Sequence, residues 1–364
     1  MISIIRHNLI DLPIGYSINY YWCSGSLLSF IMFIQVLSGV ILSFLYIADS
    51  NISFSIVMNL SNDSFLTWCL RYWHMLGVNI LFILLFIHMG RSLYYSSYNI
   101  TNVWNVGFII YLLVMGEAFT GYILPWHQMS YWAATVITSI IDSIPVFGGV
   151  VFKYVVGGFS VSGDTLIRIF SVHVCLGFVI LGLMVLHVYY LHQSGSNNPL
   201  VSGFLFSDLI YFHSYHSVKD LFVLVSVIGF ILGWLFYCPD MLVDIEAYLE
   251  ADSLNTPVSI KPEWYFLMFY SILRCIASKI GGIVLIFCIL FLLWLPVGSY
   301  TQVYSVLRQI LFWSIVSLFF ILTYLGSCHP EYPYLIICQI CSILMVVLIF
   351  IFKLHLSFNY NYWL

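Results

Sequence analysis

Apolar residues fill long, nearly unbroken runs at about 24–46, 69–94, 104–125, 166–191, 219–238, 280–297, 308–326 and 334–353, separated by polar turns and links. A helix needs ~20 such residues to cross about 30 Å of hydrocarbon. Backbone amides in lipid must find partners within their own segment, so these runs predict helices. Eight crossings put both termini on one side of a membrane and make the second and fourth helices parallel, with the third returning between them. Three links are longer, near 126–165, 192–218 and 239–279. The first contains PWHQMSYWAATVITSIIDSIP, too amphipathic to span and apolar enough to lie at the interface.

The second and fourth runs each carry two histidines. They are His74 and His88 in RYWHMLGVNILFILLFIHMGR, and His173 and His187 in RIFSVHVCLGFVILGLMVLH, and both pairs are 14 residues apart. That many helical steps return a side chain to nearly the same face about 21 Å further along the axis. Each helix therefore presents two imidazoles on one stripe, at two depths. A lone histidine in an apolar helix is more often a satisfied packing residue than a ligand, because burying it is costly and it finds a partner. A spacing that recurs in two parallel helices is much harder to assign to chance. Side by side, the helices set His74 against His173 and His88 against His187. Opposed neutral imidazoles suit axial ligation of haem iron, which makes these four the candidate metal ligands. The expected fold is an all-α polytopic membrane protein of eight transmembrane helices, the first four forming a di-haem four-helix bundle with irons roughly 20 Å apart.

Glycine repeats the period. Gly25 and Gly39 in the first run are 14 apart, as are Gly107 and Gly121 in the third. Glycine costs roughly 1 kcal/mol in a helix interior relative to alanine. Small residues at helix contacts are common in membranes, but the matched period suggests that these four let the first and third helices approach flat macrocycles. Arg71, Arg91 and Arg168 each lie three to five residues from a candidate ligand. An arginine fork at the membrane edge suits a haem propionate; snorkelling helix anchors are the plainer reading.

Composition narrows the classes. Of 364 residues 62% are hydrophobic and 7% charged, against about 25% charged in soluble domains. The net charge of −4 comes without a dense basic patch, so the expected partner is the lipid membrane and not nucleic acid. The nine cysteines are scattered, and the C-x-x-C of Cys338 and Cys341 sits in an apolar run without a second pair, which reads as packing. Basic residues in the turns, six on one side and five on the other, do not orient the chain. The opening MISIIRHNLI lacks the pattern of a removable leader. A transporter or proton channel also lines a path with intramembrane histidines, and a structural subunit needs none. Neither requires matched pairs, flanking arginines and echoing glycines, and a visible spectrum separates all three.

The strings GYILPW at 121–126, YLHQSGSNNP at 190–199, LNTP at 254–257, PEWYFL at 262–267 and the glycine pair at 281–282 resemble cytochrome b of the mitochondrial and bacterial bc1 complex, respiratory complex III. The similarity covers essentially the whole chain. Its continuity through all eight runs separates it from the photosynthetic b6f relative, which is split after the fourth. The resemblance implies the central redox subunit of a ubiquinol:cytochrome c oxidoreductase working by a Q cycle. Two non-covalent haem b groups are implied, the low-potential one held by His74 and His173, the high-potential one by His88 and His187. It further implies a quinol-oxidising pocket with Glu263 as proton acceptor, shaped by Tyr122, Pro262, Tyr265 and Tyr270. On the opposite side a quinone-reducing pocket would use His192, Ser196, Lys219 and Asp220, while Trp104 would serve haem propionate contact or packing. The implied partners are a Rieske iron–sulfur protein, cytochrome c1 and accessory subunits in a dimeric complex. The implied place is the mitochondrial inner membrane, with a bacterial plasma membrane as the alternative. The two parts expected are 1–200, the bundle, and 201–364, which completes the quinol site.

The residues can be weighed beside the resemblance. Glu263 follows a proline and precedes two aromatics, a setting that part-desolvates a carboxylate and raises its pKa; a solvated interfacial glutamate is the alternative. A hydroquinone needs a proton donor and an acceptor, which His192 and Asp220 can supply; Asp220 is also well placed to cap a helix start. Three positions depart from the family pattern. His127 stands where PWGQ is usual, as an added proton relay or, the favoured reading, an interfacial side chain. Ala133 replaces a glycine after tryptophan, which predicts weak sensitivity to inhibitors that pack on that glycine. Ala277 replaces a proline before the lysine of the sixth run, which leaves the local turn open.

Overall fold

The computed structural model describes residues 6–200, 206–296 and 305–358. Twelve α-helices follow in order among the described residues: α1 (Ser24–Ser43), α2 (Ser53–Asn62), α3 (Phe65–Tyr94), α4 (Thr101–Ile123), α5 (Gln128–Asp142), α6 (Gly148–Val156), α7 (Gly163–Ser194), α8 (Phe212–Tyr237), α9 (Leu267–Arg274), α10 (Lys279–Trp294), α11 (Val306–Ser327) and α12 (Tyr334–Phe358). Seven of them are long and apolar enough to span a membrane; α10, at 16 residues, is shorter. It stops early because Pro296 disfavours helical backbone at Leu295, which leaves the helix with ψ of 112°. Each of the eight apolar runs thus contains a helix among the described residues, and the sixth, α10, falls short of the seven candidate spans.

α1, α3, α4 and α7 form the bundle, with α1 packed on α3 and α4 packed on α7. The start of α7 is fixed by a capping box in which Ser162 and Thr165 satisfy each other's backbone amides. Two elements went unforeseen: α2 fills the turn after the first crossing, and α8 begins at Phe212, seven residues before the expected 219. Asp220 therefore lies inside a helix and does not cap its start. The 126–165 link forms two short helices, α5 and α6, as expected of an interfacial segment. At the open turn before α10, Ser278 takes over as cap and its Oγ accepts from Gly281 N at 3.3 Å.

Between α4 and α5, Trp126 takes left-handed backbone with φ of 53°, a conformation uncommon for a bulky residue. Backbone pairing on both sides holds this turn: Ala251 N donates to Trp126 O at 3.2 Å and Gln128 N to Leu249 O at 2.9 Å. The amide of Gln128 extends the clamp, donating to Asn255 O at 3.1 Å and accepting from Asp252 N at 3.0 Å. The PWHQ turn thereby anchors the 239–263 link over the end of the bundle.

The second half docks through a few buried polar ties. Trp104 Nε1 donates to Trp294 O at 2.8 Å, Trp264 Nε1 to Asn79 Oδ1 at 2.8 Å, and Tyr72 OH to Asp240 Oδ1 at 2.6 Å. The basic residues assigned to turns by their place in the sequence include Arg308 and Lys353, which are instead 3% and 1% exposed. Each sits on the carbonyl end of a helix, Arg308 on Leu93 O of α3 and Lys353 on Leu295 O just past α10, where the helix dipole favours a cation.

Candidate functional site

The four histidines meet in the two expected pairs. Ring centroids of His74 and His173 are 6.4 Å apart, and those of His88 and His187 are 6.3 Å apart. Two metal–imidazole bonds of about 2.0 Å and two ring radii of about 1.2 Å require close to this separation when both rings bind one metal from opposite sides. Three of the four outer nitrogens are hydrogen-bonded. Nδ1 of His74 meets Ser38 Oγ at 2.9 Å, Nδ1 of His88 meets Ser24 Oγ at 3.1 Å, and Nδ1 of His173 meets Glu117 O at 3.1 Å. His187 Nδ1 faces the Val103 backbone without a hydrogen bond of ordinary geometry. Such contacts fix the tautomer and leave Nε2 for a metal. Among the described residues no three His, Cys, Asp or Glu side chains gather into a metal site. Each pair therefore suits a metal whose other ligands come from a macrocycle, and the residues present fit haem.

The glycines face the same rings. A β-carbon would lie 3.4 Å from His88 Cε1 at Gly25, 3.1 Å from His74 Cε1 at Gly39, 2.8 Å from His187 Cε1 at Gly107 and 2.7 Å from His173 Cε1 at Gly121. Each glycine thus makes room for one imidazole, a more specific role than the approach to a macrocycle expected from the period. The three arginines differ. Arg71 donates to Ser61 Oγ and Arg168 to Tyr154 O. Arg91 lies over the Trp22 ring with its buried Nε unpartnered. Trp104 is 7% exposed, and its indole N–H is committed to the junction with α10.

At the His74 end, the 239–279 link and α5 enclose the second group of candidates. Glu263 lies against the Tyr122 hydroxyl, and burial first, then the nearby Asp244 charge, raises its pKa to about 7. Asp244 in turn pairs with Lys261 at 3.4 Å. Tyr265 is buried and stacks on Phe82 with centroids 3.9 Å apart and planes 4° from parallel. Tyr270 OH donates to Ile260 O at 2.8 Å, tying α9 to the segment before Pro262. His127 is 4% exposed and caps α5: its Nδ1 accepts from Ser130 N at 3.0 Å, and its ring meets Tyr122 edge to face. Burial, then the Arg71 charge, lowers its pKa to about 3. It is neither an exposed interfacial side chain nor charged near neutrality.

At the other end the N-terminal segment gathers the remaining candidates. His192 Nδ1 meets Asn8 Oδ1 at 3.2 Å, Lys219 Nζ donates to Ile18 O at 2.6 Å, and Asp220 lies beside Cys23 and Ser26. Ser17 Oγ reaches Asn198 at 2.9 Å, two residues past Ser196, and residues 13–15 pair antiparallel with 209–211. Sequence reasoning missed Asn8, Ser17 and Ile18, whose polar contacts leave no periodic trace. It also missed Glu117, which had a signal: an acid near the middle of an apolar run.

A polytopic bundle with paired imidazoles at two depths points to a membrane protein of the redox class. Family models agree with that class: the one described as Cytochrome b/b6/petB matches residues 9–195, and the one described as Cytochrome b(C-terminal)/b6/petD matches 250–346. The chain belongs to the cytochrome b/b6 family, which implies haem binding. A solved chain of a hyperthermophilic respiratory Complex III is similar to it over 100% of this chain and 98% of its own length, at 25% identity and a TM-score of 0.92. This fold and family make the chain a multi-pass membrane subunit with a respiratory quinol-oxidoreductase role, acting in a complex with other subunits.

Proposed function

We propose that the chain oxidises a membrane hydroquinone at the Glu263 end and reduces a quinone at the His192 end, as the cytochrome b of a bc1-type complex running a Q cycle. The observation that carries this is the matched 6.4 and 6.3 Å separation of two histidine pairs at two depths. His74 with His173 and His88 with His187 would hold two b haems, which when bound carry single electrons between the two ends.

The chain's own residues do the rest. Glu263, with a pKa near neutrality, accepts a proton from the hydroquinone hydroxyl as it is oxidised. Tyr122 orients that carboxyl, Tyr265 and Tyr270 hold the walls rigid, and Pro262 sets the extended approach of the chain. His192 and Asp220 supply and relay protons to the reduced quinone at the opposite end, with Lys219 and Ser196 beside them. Proton release at one end and uptake at the other separates charge across the membrane. The second electron of each hydroquinone leaves to an iron–sulfur partner of the Rieske type, and cytochrome c1, a dimeric assembly and a mitochondrial inner membrane complete the proposal. Support for these last points is the family membership and the likeness to a respiratory Complex III chain.

Reduced-minus-oxidised spectra of the purified complex carrying His74→Leu or His88→Leu test the reading. Each substitution should abolish a different α-band. Loss of no band, or of both by either substitution, contradicts the pairing.

A further inference from the structure

Glu117 lies within the spanning helix α4, six residues before its end, and touches a candidate ligand. Its Oε1 lies 3.2 Å from Nδ1 of His173, on the same nitrogen that meets Glu117 O at 3.1 Å and Thr120 Oγ1 at 3.3 Å. The space for it is built. Gly177, one turn along α7 from His173, is buried, and a β-carbon there would stand 3.2 Å from Glu117 Oε1. The other three candidate ligands meet a serine hydroxyl or backbone at Nδ1. Among the described residues, only the His173 ring of the four has a carboxylate at its back.

We propose that Glu117 is a positioning residue: its carboxylate stands behind Nδ1 of His173 and shares that N–H with the Glu117 backbone carbonyl, fixes the ring, and makes the imidazole a stronger electron donor than its three counterparts. This rests on the reading of His173 as a haem ligand. A carboxylate behind a ligating imidazole fixes its tautomer and raises its basicity. A more basic axial ligand favours the oxidised over the reduced iron, so Glu117 makes the two haem sites unequal. The asymmetry falls on the His74–His173 pair. The remaining oxygen, Oε2, is buried without a partner, so the side chain's polar contact is made toward His173.

Redox titration of the α-bands in the purified complex tests this, with each band assigned by the His74→Leu and His88→Leu variants. Glu117→Gln keeps the shape and an acceptor but removes the carboxylate. It should shift the reduction equilibrium of the His74–His173 band about tenfold toward the reduced form, 59 mV for one electron, and leave the other band in place. Gly177→Ala, which crowds the carboxylate without removing it, should move the same band in the same direction by less, and serves where Glu117→Gln does not assemble. An unmoved band in these variants, or equal movement of both bands, overturns the inference. A wild-type complex without a band at this pair overturns the ligand reading itself, a distinct result.

Discussion

A β-carbon on Gly121 would stand 2.7 Å from Cε1 of His173, inside any ordinary carbon contact. The same test at the other three glycines gives 2.8 Å at Gly107, 3.1 Å at Gly39 and 3.4 Å at Gly25. Small-to-large changes in a packed interior cost about 1–3 kcal/mol and displace neighbours. Alanine substitutions should therefore impair haem retention in the order Gly121, Gly107, Gly39, Gly25, the last being nearly silent. Each should weaken the band of the histidine it faces. Haem content of the four variants checks this, and an order unrelated to these distances contradicts it.

Glu263 must be ionised to accept a proton, and its pKa is raised to about 7. Quinol oxidation should therefore rise with pH through that region, and Glu263→Gln should remove that limb and slow turnover by roughly 10²–10⁴, the range typical of a lost general base. Asp244→Asn removes a charge that raises the Glu263 pKa and frees Lys261, which lowers it. The limb should then move to lower pH. Steady-state pH profiles of both variants decide the matter, and an unchanged limb in Glu263→Gln assigns the proton elsewhere.

His127 caps α5 through a neutral ring. Its folded pKa of about 3 lies below the ~6.5 of an unfolded chain. Its contribution to stability is therefore present above 6.5 and is lost as pH falls from there toward 3. His127→Asn keeps a capping acceptor and should flatten this part of the acid sensitivity. His127→Ala should cost about 1 kcal/mol and loosen the clamp on residues 249–255. Thermal inactivation of the complex across that pH range reads both effects.

Ala133 is 9% exposed on the inner face of α5. Its methyl occupies space where a ring-shaped quinol-site inhibitor would pack against a glycine, so Ala133→Gly should raise inhibitor sensitivity without a large change in quinol KM. Inhibitor titration of turnover measures it, and equal sensitivity of the two forms would remove Ala133 from the pocket.

The helices and the paired histidines were legible because membrane burial imposes continuous apolar runs, and rings that face each other across two parallel helices leave a matched period in the sequence. What escaped had no period. The N-terminal contacts of Asn8 and Ile18 and the Trp126 turn depend on partners far along the chain, and the cap formed by His127 is a single local contact with Ser130. Arg308 and Lys353 misled for a related reason: a basic residue near a helix end reads as a surface anchor, yet carbonyl ends of α3 and α10 offered both a buried place. The alternative of Asp220 as a helix cap followed from an apolar run that begins at 219, while the helix starts seven residues before that run in a polar stretch. Glu117 was visible as an intramembrane acid, and only its contact with His173 gave it meaning.

The most direct test of the central claim is the haem content of the purified complex, measured per copy of this chain as its pyridine haemochrome after accounting for haem covalently held by partners. The two imidazole pairs call for two dissociable haems per chain, falling to one in His88→Leu. A single haem in the wild type, or none, contradicts the account.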